Sequence, residues 1–289
     1  MTVKAGVVGW PIEHSLSPVL HGYWLSQPEH SSIKGSYERI AIPPGELTRE
    51  NVFKLRDQGF VGFNVTIPHK ETAFSLADEL DDAAPFTGAA NVLFFMEDGR
   101  IGARNTDVSG IQDSLMQSLG NISLAGKNVV VLGAGGAARA IAYALQGLHV
   151  AKVSVLNRHK DRAEKLVEHV KKYRPNAELV TGSFKDWPTA AKDAWLVINA
   201  TSAGMRGHPP LEIDLARLSS NAAICDIVYN PLETPLLKAA RARGHKRIVD
   251  GLGMLMYQAK PSFEIFFGKN PEVTPGLRAA LVRALAARA

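Results

Sequence analysis

The sequence predicts an α/β protein whose second half is a doubly wound parallel sheet. Three observations predict it. The run Asn128–Leu132 (NVVVL) is short, apolar and rich in valine. It leads at once into Gly133-Ala134-Gly135-Gly136-Ala137-Ala138 and then into residues 139–146, of helix-forming composition. A buried strand, a glycine turn and a helix start open a dinucleotide-binding βαβ unit of the Rossmann type. Strand-like and helical runs then alternate as far as Val249, the pattern of a parallel sheet. Finally, 289 residues suffice for about two domains, and the residues before the connecting helix carry their own mixture of strands and helices.

The elements follow in order. Residues 4–9 (KAGVVG) read as a buried strand, which Trp10-Pro11 breaks. Pro18 stands where a helix begins, with Ser17 as its N-cap, and the helix runs through residues 21–25. Residues 36–42 alternate as a second strand. Pro43-Pro44-Gly45 turns the chain, and residues 46–58 carry Leu47, Phe53 and Leu55 at helical spacing. Residues 63–67 (FNVTI) form a third strand that stops at Pro68, and residues 69–77 a helix. Residues 91–96 and 100–104 flank Glu97-Asp98-Gly99, a hairpin signal. A connecting helix at 106–119 leads to strands at 128–132, 152–156, 178–181, 195–199, 223–228 and 247–249. After Gly251 the chain turns helical at 254–267 and 275–287, with Leu277, Leu281, Val282 and Leu285 on one face. This terminal pair is expected to return to the first domain. The expected division is residues 1–107 with 254–289, and residues 108–253.

Composition narrows the function. With 46% hydrophobic and 21% charged residues, the chain can bury ordinary cores. A net charge of +5 favours small anions but lacks the dense basic runs interleaved with aromatics that nucleic-acid binding needs. Cys225 is the single cysteine, so a disulfide framework and a cysteine zinc site are excluded, and its apolar surroundings read as core. His14 and His69 lack metal-ligand spacing, and no metal is assigned. No apolar run approaches membrane-spanning length and no leader pattern opens the chain, so a cytoplasmic location is expected.

Each small residue of the turn has a reason. Gly133 permits the tight turn, Gly135 lets a pyrophosphate approach the backbone, and Ala138 allows helix and strand to pack closely. The helix N-terminus offers free N–H groups to phosphate. Such turns also join strands to helices without binding anything, so the context matters. A second strand, Lys152–Leu156, lies about 20 residues on, where a carboxylate would accept from the 2′-hydroxyl of NAD. The chain has Asn157-Arg158-His159-Lys160 there instead, with Arg162 beyond. Alone, these cations read as a solvated helix start. Coupled to the glycine turn, they suit a 2′-phosphate and hence NADP.

A second cluster is Asn64-Val65-Thr66-Ile67-Pro68-His69-Lys70. In a strand, Asn64 and Thr66 share a face. Lys70 stands at the strand-to-helix corner, where open sheets place ligands; taken alone, it reads as a solvated helix-start lysine. Asp107, in Asn105-Thr106-Asp107, reads alone as a helix N-cap. Ser15 and Ser17 could bind a small carboxylate, or Ser17 could cap a helix.

Over nearly its whole length the chain resembles shikimate dehydrogenases. The matching stretches are residues 9–12 (GWPI) with 14–18 (HSLSP), 64–70 (NVTIPHK), 88–91 (GAAN), 105–107 (NTD), 133–138 (GAGGAA), 157–158 (NR), 199–205 (NATSAGM), 226–231 (DIVYNP) with Thr234, and 250–258 (DGLGMLMYQ). The resemblance implies NADPH-dependent, reversible reduction of 3-dehydroshikimate to shikimate, a step of aromatic amino acid biosynthesis. It implies that Lys70 and Asp107 form the catalytic pair and that Ser15 and Ser17 hold the substrate carboxylate. Asn64, Thr66, Asn91, Asp107 and Gln258 would bind ring hydroxyls, with Tyr229 near the substrate. Gly133, Ala134, Gly135, Gly136, Ala137, Asn157, Arg158 and Arg162 would hold the cofactor, with Thr201, Met205, Gly251 and Met254 around the nicotinamide. A small-molecule substrate is the expected partner, and a homodimer is compatible with the reading.

Two positions depart from the family pattern. Val92 replaces a usual threonine and Val108 a usual glycine. These changes bear on local backbone shape and substrate range more than on the reaction. Two rivals stand beside this reading: a quinate/shikimate dehydrogenase able to use NAD, and a non-catalytic NADP-binding regulatory protein. The intact Lys70 and Asp107 speak against the second.

Overall fold

The computed structural model describes residues 2–120, 122–173 and 176–288. The chain divides into two compact units, Met1–Thr106 with Met256–Ala289, and Asp107–Leu255.

The first unit begins with β1 (Val3–Gly9), α1 (Ser17–Leu25), β2 (Gly35–Ala41), α2 (Arg49–Asp57), β3 (Phe60–Val65) and α3 (Lys70–Leu76). It continues with β4 (Glu79–Leu80), α4 (Ala83–Thr87), β5 (Val92–Phe95) and β6 (Ile101–Arg104). The sheet order is β2-β1-β3-β5-β6-β4. β1 runs parallel to β2 and β3, whereas the hairpin of β5 and β6 adds an antiparallel strand to β3. One face buries Val8, Phe63, Leu93 and Ile101 against Val52 and Ala73 of the flanking helices. α2 is capped by Thr48, whose side chain accepts from the Asn51 amide.

The second unit opens with α5 (Asp107–Leu119), followed by β7 (Asn128–Leu132), α6 (Gly136–Gly147), β8 (Lys152–Leu156), α7 (Lys160–Lys171) and β9 (Glu178–Gly182). α8 (Trp187–Lys192), β10 (Leu196–Asn199), β11 (Ala223–Asp226), α9 (Pro235–Ala242) and β12 (Ile248–Val249) complete it. The sheet order β12-β11-β10-β7-β8-β9 is parallel throughout. The central strands β7, β10 and β11 are almost wholly buried and mostly apolar, as a sheet covered on both faces requires. β7 lies between β8 and β10, so the order reverses there, and the carboxyl end of β7 is the place where such sheets hold ligands.

α10 (Gly251–Phe267) starts in the second unit and ends in the first, where α11 (Pro275–Ala286) packs on α1. The Trp24 indole donates to the Glu272 carbonyl at 2.8 Å, and Leu277 and Leu281 are fully buried. The expected return of the terminal helices is thus observed. No described helix is long and apolar enough to cross a membrane.

Several local expectations differ from the structure. Ser17 is the first residue of α1 rather than its cap; Leu16 holds the cap position and makes no side-chain bond there. Asp107 likewise is the first residue of α5. β3 ends at Val65, earlier than expected, although the Thr66 amide makes one further bond to the Val8 carbonyl at 2.9 Å. α10 starts at Gly251, three residues early, because Gly251 and Gly253 carry no apolar pattern. A Cβ on Gly251 would run into the Ile227 backbone, and one on Gly253 into the Ser114 hydroxyl, so close packing selects these glycines. β4 and α4 were not expected; a two-residue strand and a five-residue helix containing Pro85 are too short to show a period.

Candidate active site

In the first unit, buried polar side chains gather at the end of β3. Asn64 is buried and donates from Nδ2 to the Asn91 carbonyl at 3.3 Å. Its Oδ1 accepts the Tyr37 hydroxyl at 2.7 Å. Asn91 Oδ1 accepts the Thr106 amide at 2.7 Å, and Asn91 Nδ2 donates to Gln258 Oε1 at 3.2 Å. The structure therefore brings Asn64, Asn91 and Gln258 together, from β3, the start of β5 and α10. A cluster of this kind is stable in the interior because its members satisfy one another. Ser17 is buried, and Ser15 Oγ accepts its amide at 3.3 Å.

Thr66 is half-buried beyond the strand end. Lys70 is half-buried at the first position of α3, and its carbonyl accepts the Ala90 amide at 2.9 Å. His69 beside it is buried with its Nε2 on the Ile42 carbonyl at 2.6 Å. Among the described residues no group of three His, Cys, Asp or Glu could hold a metal.

The remaining expected residues belong to the second unit. Gly133 adopts φ +114°, and a Cβ there would lie 2.9 Å from the Ala200 carbonyl oxygen and 3.0 Å from Thr201 Cγ2. The turn after β7 thus meets the turn after β10, which brings Gly133 and Thr201 together. Gly135 is the N-cap of α6, and around it and Gly136 a Cβ would meet nothing within 4 Å. Open space beside free helix-start N–H groups is what a pyrophosphate requires, so the residues present fit a dinucleotide. Asn157 follows β8 and donates to the His159 carbonyl at 2.9 Å. Arg158 and Arg162 are exposed, and neither guanidinium is engaged in an ion pair among the described residues. Two unpaired forks there suit a phosphate.

A buried network sits at the carboxyl ends of β10 and β11. Asp226 accepts from Asn199 Nδ2 at 2.9 Å, Thr234 Oγ1 at 2.6 Å and the Val228 amide at 3.1 Å. Asn199 Oδ1 in turn accepts from the Thr201 hydroxyl at 2.7 Å and the Thr201 amide at 3.0 Å. Burial pushes the Asp226 carboxyl up, and its hydrogen bonds pull it back in part. Met205 is exposed, whereas Tyr229 and Met254 are half-buried and Gly251 is buried. Burial raises the Cys225 thiol above its ordinary range, so it is core and not a nucleophile.

A family model described as the shikimate dehydrogenase substrate binding domain matches residues 7–93, and one described as shikimate / quinate 5-dehydrogenase matches residues 114–206. A shikimate dehydrogenase (NADP(+)) of Methylobacterium radiotolerans is 48% identical over 292 residues, covering 99% of this chain and 98% of the relative. The chain belongs to the shikimate dehydrogenase family.

Solved members of similar fold include the Thermus thermophilus shikimate 5-dehydrogenase in complex with NADP(H) and shikimate. Its TM-score is 0.83 at 33% identity, covering 98% of this chain and 100% of that one. A quinate dehydrogenase from Corynebacterium glutamicum in complex with NAD gives 0.86 at 30% identity, covering 99% of each. Of the two departures from the family pattern, Val92 is fully buried and Val108 nearly so. Two members of the polar cluster escape a reading by motif. Tyr37 lies between Ser36 and Glu38 in an alternating strand, where nothing marks it as a site residue. Thr106 was visible only as part of a helix-start triplet, yet it is buried against Asn91.

Proposed function

We propose that this chain is an NADPH-dependent shikimate dehydrogenase that interconverts 3-dehydroshikimate and shikimate. Its full-length relationship to enzymes of that name carries the reading. The buried amides at the end of β3 and the open glycine turn support it.

Reducing a ring ketone places negative charge on oxygen, which must be neutralised and protonated. NADPH, when bound, supplies the hydride. The Lys70 ammonium supplies a local positive charge and a proton to the alkoxide, and in the reverse direction takes it back. Asp107 acts with it, orienting the lysine and binding a ring hydroxyl. Ser15 and Ser17 donate to the substrate carboxylate. Asn64, Thr66, Asn91 and Gln258 hold the ring hydroxyls, and Tyr229 lines the substrate. A ring with several hydroxyls is best held by groups that both donate and accept, and the carboxamides and hydroxyls of this cluster do both. The first unit, with residues 254–289, is the substrate domain.

The second unit is the cofactor domain. Gly133, Ala134, Gly135, Gly136 and Ala137 pass backbone close to the pyrophosphate. Asn157, Arg158 and Arg162 hold the adenosine end, with the two guanidiniums on the 2′-phosphate. Thr201, Met205, Gly251 and Met254 line the nicotinamide end.

The structural likeness to an NAD-bound quinate dehydrogenase keeps a second substrate and cofactor in view. A spectrophotometric assay of shikimate and quinate, each with NADP and NAD, tests both readings. Turnover of shikimate with NADP far exceeding the other three combinations is expected. Equal turnover of quinate with NAD would establish the second reading, and binding of NADP without turnover of either acid would establish a non-catalytic role.

A further inference from the structure

Behind the proposed substrate residues lies a histidine that the reaction does not use. His21 is fully buried on α1, and neither imidazole nitrogen has a hydrogen-bond partner among the described residues. A buried polar group left unpaired is costly and calls for a reason. Its ring stacks on Tyr37, with centroids 3.9 Å apart and planes 3° from parallel. The edge of Trp24 at 5.8 Å and the ring of Phe263 at 5.9 Å close the pocket around it.

Tyr37 connects this stack to the proposed substrate site. Its single proton goes to Asn64 Oδ1 at 2.7 Å. The phenol oxygen therefore orients the amide expected to read a ring hydroxyl. Asn64 carries the arrangement on, donating to the Asn91 carbonyl. The stacked His21 face fixes where the phenol oxygen sits. β2 alone does not, because Tyr37 faces the small residue Ala5 in the register of the neighbouring strand.

We infer that Tyr37, held by the His21 ring, is a positioning residue that sets Asn64 for the substrate. The inference rests on the substrate reading proposed above. Neither ring is asked to touch the reacting atoms. The contribution is to hold one binding group in its productive rotamer, and so it acts on substrate binding and not on the cofactor.

Steady-state kinetics on the full chain test it. Tyr37→Phe keeps the stack and removes the hydroxyl. It should raise KM for shikimate about fivefold, the worth of one neutral hydrogen bond, with kcat and KM for NADP within about twofold of wild type. His21→Ala removes the wall and should raise the same KM, and His21→Phe, which restores a ring, should bring it back towards wild type. In an Asn64→Ala background, Tyr37→Phe should have much less effect than alone, because the partner it orients is gone. Thermal melting of each variant separates loss of fold from loss of binding. Should the His21 variants fail to fold, the Tyr37 and Asn64 cycle decides by itself. A wild-type KM in Tyr37→Phe, or full additivity with Asn64→Ala, would overturn the assignment alone. Absence of shikimate turnover and binding in the wild type would overturn the substrate reading, and this assignment with it.

Discussion

Lys70 and Asp107 share a local setting: each is the first residue of a helix. Each stands at a corner where strand gives way to helix, so the backbone on both sides fixes where its side chain begins. Removing the amine while keeping the backbone isolates its chemistry. Lys70→Ala is expected to lower kcat on the order of 10²- to 10⁴-fold, the usual loss for a general acid/base, with KM for NADP little changed. Turnover near wild type in a stopped assay would exclude Lys70 from the proton transfer. The cofactor end gives a second prediction at the same scale. Arg158 is exposed and its guanidinium carries no bond among the described residues, so Arg158→Ala should cost no stability. It should raise KM for NADP about tenfold or more and leave the weak use of NAD unchanged, since only the 2′-phosphate contact is lost. Measured KM values for the two cofactors check it.

At the scale of elements, the carboxyl ends of β10 and β11 are tied by one buried acid. Asp226 accepts three hydrogen bonds, from Asn199, Thr234 and the Val228 amide. Through Asn199 it also sets the turn that carries Thr201. Asp226→Asn replaces one acceptor oxygen with a donor and leaves one member of the network facing the wrong group. The expected cost is about 2 kcal/mol, read from the urea midpoint, together with a raised KM for NADP from the displaced Thr201 turn. The terminal helix supports a parallel argument. Leu277 of α11 is fully buried against the first unit, and Leu277→Ala should destabilise the chain by about 2–5 kcal/mol through the cavity it leaves, as thermal or urea unfolding would show.

For the whole molecule, His21 makes stability depend on pH. Burial holds its imidazole down to about 3 from an ordinary value of 6.5. Above pH 7 the ring is neutral in both folded and unfolded chains and has no effect. Below about 6.5 the unfolded chain takes up a proton that the folded chain refuses, so stability falls with pH until about 3, where the folded form also titrates. Between pH 7 and pH 5 this single group should remove about 2 kcal/mol. His21→Phe should abolish that share of the loss, and urea unfolding of both proteins at the two pH values measures it. The two units are also interleaved along the chain. The first is left at Thr106 and completed only after Leu255, so its core includes Phe263, Leu277 and Leu281 from the far end.

Short-range pattern was enough for much of this protein. The valine strand, the glycine turn and the alternation after it determined a parallel sheet and its ligand-binding end, because strand burial and helix starts leave marks within a few residues. The motifs likewise singled out Asn64 and the cations at 158 and 162, whereas Lys70 and Asp107 read locally as a helix-start lysine and a helix cap and took their roles from the family resemblance. Tertiary structure decided what those residues face. Asn91 meets Gln258 across 167 positions, and Tyr37 meets Asn64 across 27. Ser17 opens the helix it was expected to cap, and α10 begins on glycines chosen by the atoms they touch. A hydrogen bond or close contact between distant residues has no local signature, since each partner's composition looks ordinary until folding places the other beside it.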